Sequence, residues 1–211
     1  MSNDVYSELP AAEAADLLDF WFGDPLDAAN VEQRNKLWFS PTRSQDREMR
    51  ERFDALHTRA TAGELEDWMA EPRSALALIL LLDQLTRNLY RGTAQAFAND
   101  ERALAHSTEC VEREFDSKLY VVERAFLYMP FQHSEDLNVQ RRSLALFGAL
   151  KSVAPPSFEA YAMNVYEHAV LHHDLVERFG RFPHRNALLG RPSSKSEKEY
   201  LDQGGRRFGQ G

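Results

Sequence analysis

The 211-residue chain carries 26 Leu and 25 Ala against 10 Val and a single Ile. With six Thr, β-branched side chains total 17, about 8% of the chain, which excludes a β-sandwich or a Rossmann-type parallel sheet built from Val and Ile runs. A net charge of −8 argues against non-specific binding to nucleic acid.

Pro10 opens a first helix through Leu17, Leu18 and Trp21, ended by Gly23-Asp24-Pro25. Asn30 is placed as the cap of a short second helix that reaches Trp38 and Phe39 and closes at Ser40-Pro41. A charged helix from about Ser44 to Thr61 buries Met49, Phe53 and Leu56, and Gly63 breaks it before a turn around Trp68. Pro72 then opens the central helix, which runs to about Tyr90. Residues 75–82 are apolar on every face, the mark of a helix surrounded by neighbours.

Beyond Gly92, Asn99 caps a helix with Asp100 and Glu101 in its first turn. The next runs from about Tyr120 and is expected to stop at Met129, because Pro130 follows. Ser134 is placed as the cap of a helix to about Leu150, and Ser157 as the cap of a long helix that ends at Phe179-Gly180. Ser194 with Glu197 forms a capping box for a last short helix. The reading is all-α, about eight or nine helices joined by short turns, as an α-solenoid or an irregular helical array. No clean repeat of 34 residues is present. Residues 1–203 are expected to form one domain and residues 204–211 a disordered tail.

The longest apolar run is eight residues, far below the roughly 20 that span a bilayer. The N-terminus lacks the basic and apolar regions of a secretory signal, so a cytoplasmic location with no membrane partner is expected. Cys110 stands alone among acids, a poor nucleophile with no disulfide partner. No P-loop, dinucleotide-binding or nucleophile-elbow pattern occurs, and no cofactor is indicated.

Three polar clusters interrupt the helical pattern. In the central helix, Gln84, Arg87, Asn88 and Arg91 share one face by their 0, 3, 4, 7 spacing, and Asp83 can pair with Arg87. Such a face is either a buried network that fixes register or the wall of a ligand pocket. Around Pro130, His133 and Glu135 sit at a tight corner beside a helix N-terminus, which suits an anion. Ser134 as cap and the acids as dipole partners account for that corner without function as well.

The third cluster holds His168, His172 and His173. His168 and His172 are one turn apart and form a weak candidate metal pair, with no Glu placed as in H-E-x-x-H. The loop that follows, Arg178 to Arg191, contains four arginines, His184 and Asn186, and no acid. Its arginines suit either an anionic ligand or acids on neighbouring helices.

These clusters also carry a family resemblance. Asp19-Phe20-Trp21-Phe22-Gly23, then Asp83-Gln84 with Arg87-Asn88 and Arg91-Gly92, resemble the bacterial domain-of-unknown-function family 924. Met129-Pro130-Phe131 through His133-Ser134-Glu135-Asp136-Leu137 and Gln140 is similar to its middle motif. Phe179 to Asn186, with Leu189-Gly190-Arg191, is similar to its most specific one. Leu85-Thr86 departs from it, where the family more often has Phe-Pro. The resemblance implies a tetratricopeptide-like superhelical fold and no settled activity, and it places all three clusters in one shared pattern.

Three functions follow as expectations. The first is a binding protein in which Asp83, Gln84, Arg87, Asn88, Arg91, His133, Glu135, His172, Arg181, His184, Arg185 and Asn186 hold a small anionic molecule or acidic peptide group. The second is a structural scaffold with a protein partner, in which the clusters fix the fold and no pocket forms where they meet. The third is a hydrolase or lyase with His133 or His172 as base and Glu135 as partner acid.

Overall fold

The computed structural model describes residues 11–39 and 41–209; the expected roles of Pro10 and Ser40 lie outside them. The described residues form nine helices and no strand. They are α1 (Ala12–Phe22), α2 (Ala28–Phe39), α3 (Arg43–Ala62), α4, α5 (Asp100–Glu112), α6 (Val121–His133), α7 (Leu137–Val153), α8 (Glu159–Phe179) and α9 (Lys195–Asp202). Helix α4 is continuous over 72–89 but made of three parts: α-helical Pro72–Leu80, a π turn Leu81–Leu85, and α-helical Thr86–Leu89.

Helix α4 is the axis of the core. Every residue from Ala75 to Leu82 is fully buried, and α1, α3, α5 and α6 pack around it. A helix apolar on all sides needs that enclosure. Helices α7 and α8 pack on each other and against α6, so α6 links the two halves. No described helix is long and apolar enough to cross a membrane.

Local chemistry explains where the helices end, and corrects several expected caps. Asn30 lies inside α2 and donates backwards to Phe22 O (2.7 Å) and Asp24 O (2.8 Å), closing the end of α1. Asp27 takes the capping role, its carboxylate accepting the Ala29 N–H at 2.9 Å. Gly23 has φ +60°, and a Cβ there would lie 2.8 Å from Asn30 Oδ1, so this turn requires glycine. Trp38 Nε1–H donates to Trp21 O at 2.8 Å, and the rings of Trp21, Phe22 and Trp38 each meet Phe126. The Asp19–Gly23 motif is therefore a helix terminator with its own aromatic lid.

Pro130 does not stop α6, which continues to His133. The ring removes one donor near the helix end, where little of the ladder remains to be lost. Gln140 Nε2 then donates to Gln132 O (2.7 Å) and Ser134 O (2.6 Å), satisfying carbonyls at that end. The cap of α7 is Asp136, which accepts the Asn138 and Val139 N–H groups, not Ser134. Phe158, at the end of a short 3-10 turn, precedes α8 in place of Ser157. Asn99 stands at the start of α5 but spends its side chain on Thr86 Oγ1 (3.1 Å). Thr86 in turn donates to Leu81 O at 3.1 Å, inside the π turn.

Candidate functional site

The π turn holds one residue more than an α turn and so rotates the polar end of α4 relative to its apolar start. Gln84 within it, and Arg87, Asn88 and Arg91 beyond it, all border a single cavity of about 420 Å³. His133 enters that cavity from the end of α6, His168 and His172 from α8, and His184 and Arg185 from the loop after α8. The three polar clusters therefore meet. Among the described residues, five arginines and no acid line the wall, together with Trp38, Phe39, Phe97, Met129 and Val165.

Behind the wall, acids and guanidiniums alternate. Arg87 bridges Asp83 (2.8 Å) and Asp100 (2.9 Å), and Arg185 reaches the second Asp100 oxygen at 3.1 Å. The chain of charges ends on His133, whose Nδ1 lies 2.7 Å from Asp83 Oδ1. Burial alone would raise the Asp83 carboxyl, but Arg87 and His133 more than reverse this and hold it well below the usual carboxylate range. Burial lowers Arg185 to about 10, which leaves it cationic at neutral pH.

Three imidazoles of the cavity, His133, His172 and His184, are held below their ordinary value of 6.5 and are neutral at pH 7. Burial, helped by the Arg87 charge, lowers His133 against the pull of Asp83. Burial lowers His172 further, with His133 adding to it, and burial beside Arg185 lowers His184 to about 3. A neutral His133 facing a carboxylate carries its hydrogen on Nδ1, so Nε2 keeps its lone pair. His172 Nδ1 contacts His168 O at 2.7 Å, which fixes the same tautomer. The two rings stand 5.9 Å apart, centre to centre.

Four expected ligand residues lie behind or away from the wall. Asp83 is 1% exposed and acts on the cavity through His133 and Arg87. Glu135 does not partner His133 or His172: it is gripped by Arg191 at 2.6 and 2.9 Å and accepts the Phe182 N–H at 2.8 Å. Arg181 forks onto Glu197 at 2.7 and 2.9 Å. Asn186 donates to Glu197 and Ser193 and accepts from Arg191. Arg181 and Arg191 thus fasten the loop to acids away from the cavity, while Arg185 both pairs with Asp100 and borders the cavity.

The apolar wall has little signature in the sequence, because Trp38, Phe97 and Met129 come from three separate segments and no local pattern brings them together. The C-terminal segment had one, an aromatic residue between arginines and glycines. It was expected to be disordered, yet Arg206, Arg207, Phe208 and Gly209 border the cavity. Phe208 packs against Leu175, Val176 and Phe182, which supplies the apolar contact that the polar composition concealed. His168 lines the cavity beside His172, with Nδ1 spent on Asn164 O at 2.9 Å. Among the described residues, three potential metal ligands come together only at His173, Asp174 and Glu177 on α8, a set that does not include His168 or His172.

These features define an all-α protein with a basic cavity edged by aromatic side chains. The chain belongs to the family described as bacterial protein of unknown function (DUF924), whose model matches residues 17–205. It is similar to the structure of ATU0120, a protein of unknown function from Agrobacterium tumefaciens. The two are 36% identical with a TM-score of 0.78, over 92% of this chain and 99% of the other. No curated protein matches the chain.

Proposed function

We propose that the protein binds a small anionic organic molecule in this cavity. The supporting observation is the wall itself, with five arginines and no acid among its described residues, in a protein of net charge −8. A cation-rich concavity with apolar sides both attracts an anion and favours an organic body. The scaffold reading expects no pocket where the clusters meet; its chemistry fits the Glu135–Arg191 and Arg181–Glu197 clamps and the Asp83–Arg87–Asp100 pairs behind the wall, but not the cavity in front of them. Calorimetric titration and thermal shift with inorganic phosphate and a series of carboxylates test the proposal. At least one anion should raise the melting temperature, and Arg91→Ala and Arg185→Ala should weaken its binding roughly tenfold or more, the worth of a charge-assisted hydrogen bond. Arg181→Ala should leave affinity unchanged. If no anion stabilises the wild-type chain, the proposal fails.

The Asp83–His133 contact favours a second reading, in which the ligand is a substrate. A neutral imidazole oriented by a buried carboxylate is built to accept a proton at Nε2, and water is the available nucleophile where no Ser, Thr or Cys lines the wall among the described residues. Hydrolysis of p-nitrophenyl esters with acidic acyl groups, lost in His133→Gln while binding persists, supports it. Equal rates in the two proteins count against it.

A further inference from the structure

The cavity holds a ring and an oxygen of the chain itself. Phe208 stacks on His172 with 3.9 Å between ring centres and 29° between planes. His184 stands 5.4 Å and Phe182 6.4 Å from the same ring. The next carbonyl, Gly209 O, accepts from Arg91 Nη1 at 3.3 Å. An aromatic ring and an acceptor oxygen thus lie side by side, the ring on a neutral imidazole and the oxygen on a guanidinium.

The segment that brings them there is lightly attached and bent. Gly204 and Gly209 have φ of +84° and +73°, and Phe208 itself has φ +49°, a region that side chains other than glycine rarely occupy. Arg206 and Arg207 are exposed, and outside the cavity the segment is held at its start, by Gly204 N–H on Leu201 O (3.2 Å), Gly205 N–H on Tyr200 O (2.9 Å) and Arg206 N–H on Tyr200 Oη (2.8 Å). A strained segment with few anchors is readily exchanged for a ligand that offers the same two contacts without the strain.

We infer that Phe208 and the Gly209 carbonyl stand where the ligand binds, that the ligand is a flat aromatic ring joined to a carboxylate or similar anionic group, and that the C-terminal segment competes with it. The inference rests on the anion-binding reading and narrows it to a ligand class. The ring replaces Phe208 between His172 and His184, where stacking and edge contacts are available. The anion meets Arg91, with Arg185 in the same wall.

The test is calorimetric titration of the full chain with 3-phenylpropionate, propionate and 3-phenylpropan-1-ol. Wild type should bind 3-phenylpropionate at least tenfold more tightly than either of the others. Phe208→Ala, checked for an unchanged melting profile, should tighten 3-phenylpropionate three- to tenfold, because apparent affinity rises with the fraction of open cavity. Propionate should tighten as well, because its carboxylate competes with the Gly209 carbonyl for Arg91. Equal affinity for both acids, unaffected by Phe208→Ala, overturns the aromatic inference and leaves anion binding standing. Weaker 3-phenylpropionate binding in Phe208→Ala makes Phe208 a wall of the site and overturns competition. Failure of both acids to bind either protein, with phosphate also inert, removes the anion-binding reading itself.

Discussion

Asp83 shows how one buried charge organises the site. Its carboxylate faces Arg87 and His133 and accepts from Gln84, all from a position 1% exposed. Asp83→Asn keeps the shape but removes the negative charge between two partners. Arg87 retains Asp100, so we expect a loss of about 2–4 kcal/mol in urea unfolding at pH 7, near the lower end for a broken buried pair. The sign with pH follows from the lowered carboxyl. Its contribution is present above the unfolded value of 3.8 and is lost as pH falls below that value. The difference between wild type and variant should therefore shrink in acid. The Asp83–Arg87 pair was readable from its spacing, four residues apart on a helix. The His133 contact spans 50 residues of chain, and no local pattern encodes a partner at that distance.

Among the elements, α4 was the most legible, since hydrophobic period and polar face both follow from helical geometry. The spacing of Gln84, Arg87, Asn88 and Arg91 gives a shared face, and leaves open whether that face is a buried network or the wall of a cavity, which all four border. The ends of elements were less legible because a cap is a competition among neighbouring side chains. Asn30, Ser134 and Ser157 have suitable chemistry, yet Asp27 and Asp136 hold the N–H groups that matter at two of those ends. The arginine loop shows the same limit. Its charge was evident, but the sorting into clamps and a cavity residue depends on Glu135, Glu197 and Asp100, which arrive from three other parts of the chain. The tail was read from composition alone, which gives no sign that Phe208 packs on the cluster of Leu175, Val176 and Phe182.

At the scale of the whole molecule, five of the seven histidines are held below their ordinary value of 6.5, chiefly by burial: His57, His106, His133, His172 and His184. Between each folded value and 6.5 the unfolded chain binds the extra proton, so stability falls as pH is lowered through that window. Each excess proton contributes a slope of about 1.4 kcal/mol per pH unit. The melting temperature should be highest above pH 7 and decline from pH 6.5 to 5, before the carboxylates titrate. His184→Gln, which removes a group lowered to about 3, should flatten that decline. A melting temperature constant from pH 7.5 to 5 contradicts the account.

Cys110 has a consequence of a different kind. The thiol is fully buried, and burial, reinforced by Glu109, pushes it up to about 12. It is both hidden from reagents and protonated at neutral pH, so neither alkylation nor oxidation proceeds from the native fold. Modification must wait for α5 to separate from the core. The lone cysteine is therefore an internal clock for opening, a single-site label whose reaction rate records how often this part of the helical array comes apart.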